Sequence, residues 1–136
     1  MEPAKEIPMI AKEISKDVET TGASPETTCY SMTIFTQRWR EIREFYTTIL
    51  DAKIVSERAD RYCEIELGGV PMCLRKCEFG EMVTYMHLYV ATTNRQPVLE
   101  ELRKRGIIVT HVGPYTNFRD PEGRVIKLSD NKTIVA

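Results

Sequence analysis

With 136 residues, 42% of them hydrophobic and 29% charged, the chain suits one domain with a core that hides roughly 65–70% of its unfolded surface. Nineteen basic residues against 20 acidic ones leave a net charge of −1. That balance lacks the basic footprint that nucleic acid or an anionic membrane surface attracts, so neither is expected as a partner.

Residues 1–28 read as an N-terminal extension. Pro8 suits the first turn of a short helix in which Ile10, Ile14 and Val18 recur every fourth residue. A polar stretch from Thr20 to Thr28, with Gly22 and Pro25 inside it, then reads as a linker. No apolar run follows Met1, as a secretory signal would require, and none approaches the ~20 residues of a membrane helix. A cytoplasmic location is the expectation.

Residues 29–136 carry the domain. Residues 30–36 predict a strand, and 40–50 an amphipathic helix burying Ile42, Phe45, Tyr46 and Ile49. Strands at 53–57, 61–67 and 70–75 follow, the last two joined by Gly68-Gly69, a strong hairpin signal. After a break at residues 78–81 the order repeats. Residues 84–91 predict a strand, and 96–105 a helix burying Val98, Leu99 and Leu102 and stopped by Gly106. Strands at 107–111, 115–119 and 124–128 complete the second half. The turn Asp120-Pro121-Glu122-Gly123 joins the last pair, with Asp120 capping backbone amides and Gly123 at positive φ. Two strand–helix–three-strand units, offset by roughly 55 residues, describe an α+β fold: two βαβββ modules forming a curved mixed β-sheet cup with helices outside.

Four cysteines raise the question of bridges. Cys73 and Cys77, if one extended strand carries both, stand ~13 Å apart, too far for a disulfide. A Cys29–Cys63 pair is left open by the sequence, and reduced thiols are the expectation.

Strand alternation separates two faces. Met32, Ile34, Met72, Leu74, Met86, Leu88, Val90, Ile126 and Leu128 form the side that packs under the helices. The opposite side supplies Ser31, Thr33, Phe35, Cys73, Arg75, Tyr85, His87, Tyr89 and Lys127 as candidate pocket residues, aromatic walls with a few polar groups between them. His111 has no visible partner in the sequence, and Arg119 and Asp120 read as parts of the turn rather than as an acid–base pair.

Four segments then carry a family resemblance: Phe45-Tyr46-Thr47-Thr48-Ile49-Leu50, Glu66-Leu67-Gly68-Gly69, Leu102-Arg103-Lys104-Arg105-Gly106-Ile107 and the run from Phe118 to Leu128. In this order and spacing the chain resembles the vicinal oxygen chelate superfamily, which includes glyoxalases, bleomycin-resistance proteins and extradiol dioxygenases. The resemblance implies a homodimer. It also implies where metal ligands stand in the family's enzymes: on the first strand of each half and on the last strand, with an optional fourth. Those positions here are Ser31, His87, Lys127 and Cys73. Only His87 is a usual ligand there, and Lys127 puts a cation where the family has a carboxylate.

The leading expectation is therefore a protein that binds a small ligand without a metal or other cofactor. Arg75 and Lys127 would meet an anionic group, and Phe35, Tyr85 and Tyr89 would supply apolar contact. No catalytic residue is assigned. A diverged metal-dependent lyase, isomerase or dioxygenase using Cys73, His87 and Glu64 or Glu66 is the second reading. An interaction module built on the sheet face or the N-terminal arm is the third. Nucleophile chemistry at Cys73 would need a neighbour that stabilises the thiolate.

Overall fold

The strand–helix–three-strand order is realised twice in the computed structural model, which describes residues 24–132. The helix expected around Ile10, Ile14 and Val18 lies outside the described residues. Residues 24–31 are exposed and belong to no helix or strand.

The first module runs β1 (Met32–Thr36), α1 (Trp39–Thr48), β2 (Lys53–Arg58), β3 (Tyr62–Leu67) and β4 (Val70–Lys76). The second runs β5 (His87–Ala91), α2 (Gln96–Lys104), β6 (Thr110–Val112), β7 (Tyr115–Arg119) and β8 (Val125–Ser129). Each module makes one four-stranded sheet, in the order β1-β4-β3-β2 and β5-β8-β7-β6. The sheets are mixed: β1 with β4 and β5 with β8 are parallel, and the remaining pairs are antiparallel. A helix between first and second strands reverses nothing by itself. The two hairpins that follow it return the last strand alongside the first in the same direction.

Local chemistry explains the elements. Gly68 and Gly69 both take positive φ, 56° and 90°, as a two-residue hairpin with the strand's own twist requires. The α1 stripe buries Trp39, Ile42, Phe45, Tyr46 and Ile49, each 5% exposed or less. Each large apolar side chain so buried contributes about 1.5–3 kcal/mol. These residues join Ile34, Cys63, Ile65, Met72 and Leu74 of the first module to Leu102, Phe118, Ile126 and Leu128 of the second in one core. Phe45 reaches Phe118 across the modules, ring centroids 6.2 Å apart, and Arg105 of the second module pairs with Glu44 of α1 at 2.6 Å. Of the helix-facing set read from the strands, Met32 departs. It is 46% exposed, at the open end of an edge strand.

β1 and β3 start one or two residues later than the alternation predicts, and β5 and β6 start three residues later, these two for different reasons. The predicted start of β5 is lost because Thr84 turns to the first module, although the Met86 carbonyl still accepts the Val125 amide at 3.3 Å. Thr84 donates its amide to the Phe35 carbonyl at 3.0 Å, and the Phe35 amide donates back to Thr84 Oγ1 at 3.0 Å. Ile107 does not join β6 because the end of α2 holds it. The amides of Gly106 and Ile107 bond back to the carbonyls of Arg103 and Leu102, and the chain pairs with β7 only from Thr110. All four cysteines are free thiols, Cys63 buried and Cys29 exposed, so the Cys29–Cys63 pair left open above is not formed. Cys77 falls just beyond β4.

One buried polar group closes the seam. The Arg124 side chain has no exposed surface. It donates to the carbonyls of Thr84 and Phe35, each at 2.7 Å, to Asp120 at 3.1 Å and to Glu122 at 3.0 Å. Asp120 Oδ1 also accepts the amides of Glu122 and Arg124, and Gly123 sits at φ 92°, so the turn is built as its sequence predicts.

Candidate functional site

The face of the first sheet away from the helices is largely exposed, while that of the second is exposed along β5 and covered at Tyr115, Val125 and Ser129. Strand register fixes which of the candidate residues adjoin. Thr33 lies beside Cys73 and Phe35 beside Arg75 in the first sheet, and Tyr89 beside Lys127 in the second. The Tyr85 hydroxyl and His87 Nε2 are 3.1 Å apart, with the rings edge to face at 5.6 Å. Ser31 lies before β1, exposed, with its carbonyl accepting a weak bond from the Cys29 thiol at 3.6 Å.

The nine residues thus form three pairs along strands, one bonded aromatic pair, and Ser31 apart from them. Tyr85 and Tyr89 are 60% and 47% exposed, which suits contact surface rather than core. Lys127 does not stand alone. Its ammonium is 5.7 Å from the centroid of the Tyr115 ring, and Tyr89 meets the same ring edge to face at 5.6 Å. Tyr115 is buried, so the cation is held over a fixed aromatic surface.

A metal site of the kind the sequence resemblance implies needs convergent donors with a compensating anion. The positions present are a serine before β1, a histidine engaged by a tyrosine hydroxyl, a lysine ammonium and a thiol. The Cys73 thiol is pushed up from its ordinary pKa chiefly by burial, so the thiolate that a metal prefers is disfavoured. Among the described residues no group of three or more His, Cys, Asp or Glu side chains converges. This donor set does not fit such a metal.

A cavity of about 560 Å³ opens beside β7, where residues 106–109 lead from α2 towards β6 without pairing in the sheet. Thr110, Asn117, Arg119 and Val125 line it, with Ile107 and Ile108 from that connecting segment. Asn117 lies directly across from Lys127 and Arg119 across from Val125, while Val125 adjoins His87. The cavity therefore continues the face that carries the Lys127 corner. The alternation that placed Lys127 on this face also places Asn117 and Arg119 there. The departure of residues 107–109 from the sheet has no signature in the sequence. His111 is satisfied by Thr116 Oγ1 at 3.2 Å, and Arg119 serves the turn by donating to the Gly123 carbonyl at 2.7 Å.

No protein-family model matches the sequence, and no curated protein does. Solved structures do match in shape. A lactoylglutathione lyase from Agrobacterium tumefaciens is 12% identical, with a TM-score of 0.60, covering 79% of this chain and 96% of that one. An antibiotic binding protein from a Streptomyces species is 16% identical, with a TM-score of 0.61, covering 81% and 100%. The fosfomycin resistance protein FosX from Listeria monocytogenes, solved with Mn(II), is 11% identical, with a TM-score of 0.60, covering 79% and 93%. At such identities the likeness is one of architecture, and enzymes and binding proteins share it. Element order, sheet order and these matches agree: the chain has the fold of the vicinal oxygen chelate superfamily.

Proposed function

We propose that residues 29–136 form a domain that binds a small, anionic molecule without a metal, on the face of the second sheet away from the helices, with residues 1–28 as an N-terminal extension. The observation that carries this reading is the Lys127 corner: an ammonium over the Tyr115 ring, flanked by Tyr89, at the position where the family's metal enzymes place a carboxylate. A cation against aromatic surface attracts an anion and offers its apolar body a wall. The fold likeness to an antibiotic binding protein supports the same direction.

The test is a thermal-shift and calorimetric screen of small carboxylates and phosphonates in the presence of a chelator. A ligand at a hundred times its Kd stabilises by about 2.7 kcal/mol, a shift of several degrees for a domain this size. Lys127→Ala is expected to weaken binding about tenfold or more, and Lys127→Arg to retain most of it. A stoichiometric metal found by elemental analysis and lost on His87→Ala would overturn the proposal, as would a screen in which no anion binds.

A further inference from the structure

The Lys127 corner leaves two polar groups of the same face unexplained. Asn117 Oδ1 is buried and has no hydrogen-bond partner among the described residues. Buried acceptors are nearly always paired, so each exception calls for a cause. Its cross-strand neighbour Lys127 could donate to it, but that ammonium is drawn to the Tyr115 ring instead. Arg119, next on the same face of β7, is exposed and spends one N–H on the Gly123 carbonyl; no carboxylate among the described residues pairs with it. Both residues line the 560 Å³ cavity, between the apolar surfaces of Ile108 and Val125.

We propose that this cavity recognises a small anion that also carries an N–H or O–H donor beside an apolar flank, the class to which N-acylated amino acids belong. The inference rests on the proposed function and names its ligand class. The Arg119 guanidinium, with donors in a planar fork, takes the carboxylate. The Asn117 amide lines the cavity, and the ligand's donor gives its Oδ1 the partner it lacks. Ile108, largely exposed, and Val125 cover the apolar flank. A ligand offering only acceptors leaves the Asn117 oxygen unpaired and is disfavoured.

The test uses N-acetyl-leucine, its N-methyl derivative, which has no N–H, and its methyl ester, which has no charge. Each is titrated into the full chain and followed by NMR at the Asn117 side-chain amide and the backbone amides of Ile108 and Val125. N-acetyl-leucine is expected to shift all three signals, and each derivative to bind about tenfold more weakly, the effect of one good hydrogen bond or ion pair. Asn117→Leu is expected to abolish the preference for the N–H without lowering the melting temperature, and Arg119→Gln to abolish the preference for the charge. Equal binding of the N-methyl derivative overturns the inference. So do shifts confined to Tyr89 and Lys127, or failure of N-acetyl-leucine while other carboxylates bind; in both cases the broader proposal stands. If no anion binds at all, both fall.

Discussion

The Tyr46 hydroxyl donates to Asp120 Oδ2 at 2.8 Å, tying the first helix to a turn 74 positions later in the chain. Both side chains are buried. Burial first, and the Asp120 charge second, push the phenol well above the ordinary tyrosine range, so it remains a donor wherever the fold exists. Tyr46→Phe is therefore expected to cost about 2 kcal/mol, as a hydrogen bond to a charged group does, while Asp120 Oδ2 keeps Arg124. The urea midpoint checks it. Trp39, the single tryptophan, is 5% exposed with its indole bonded to the Leu74 carbonyl, and supplies the fluorescence signal.

Arg124 has a larger expected effect. Its removal takes the cation from Asp120 and Glu122 and leaves the Phe35 and Thr84 carbonyls without that donor, so Arg124→Met is expected to cost about 3–5 kcal/mol. Combining it with Asp120→Asn should cost less than the sum of the two changes, because one buried charge no longer faces the other's absence. Additive losses in equilibrium unfolding would show that the two side chains do not act together.

Acid sensitivity follows from surface carboxylates. Glu44 is held below 4.5 chiefly by hydrogen bonds from Arg105, and Asp60 below 3.8 chiefly by those from Arg40. A carboxyl group whose folded pKa is depressed adds stability above its unfolded pKa and loses it as pH falls through the folded value. The denaturation midpoint is therefore expected to hold near neutral pH and to decline once pH drops below 4.5, the upper of the two reference values. Glu44→Gln should flatten part of that decline. An identical profile for the variant would remove Glu44 as a cause.

Thiol reactivity should follow burial. Cys63 is fully buried, and burial pushes its thiol upward, as it does those of Cys73 and Cys77. Under native conditions iodoacetamide is expected to label exposed Cys29 first and Cys63 only on unfolding. Peptide mass spectrometry resolves the order, and equal native rates at Cys29 and Cys63 would contradict the packing described.

The fold was largely legible because its periods are strong. The α1 stripe, the Gly68-Gly69 hairpin and the Asp120–Gly123 turn each carry a local mechanism that tertiary context does not override. What the strands could not disclose was competition for hydrogen bonds. Thr84 fits a strand by pattern yet serves Phe35, and Ile107 fits one yet bonds back to the end of α2. Alternation also placed Lys127 and His87 on the face away from the helices, but no sequence rule shows an ammonium leaning on Tyr115 or an amide oxygen left unpaired. Arg124 was hidden for a related reason. Arginine is usually a surface residue, and its burial depends on carbonyls 40 and 89 positions away.

The Phe35 carbonyl accepts from both the Thr84 amide and Arg124, so one backbone oxygen takes a bond from the segment leading into β5 and one from the turn before β8. The amide proton of Thr84 is consequently a reporter of a different event from those inside the ladders. Its exchange with deuterated solvent times how often the two halves part, while amides of β3 or β7 time the opening of a single half.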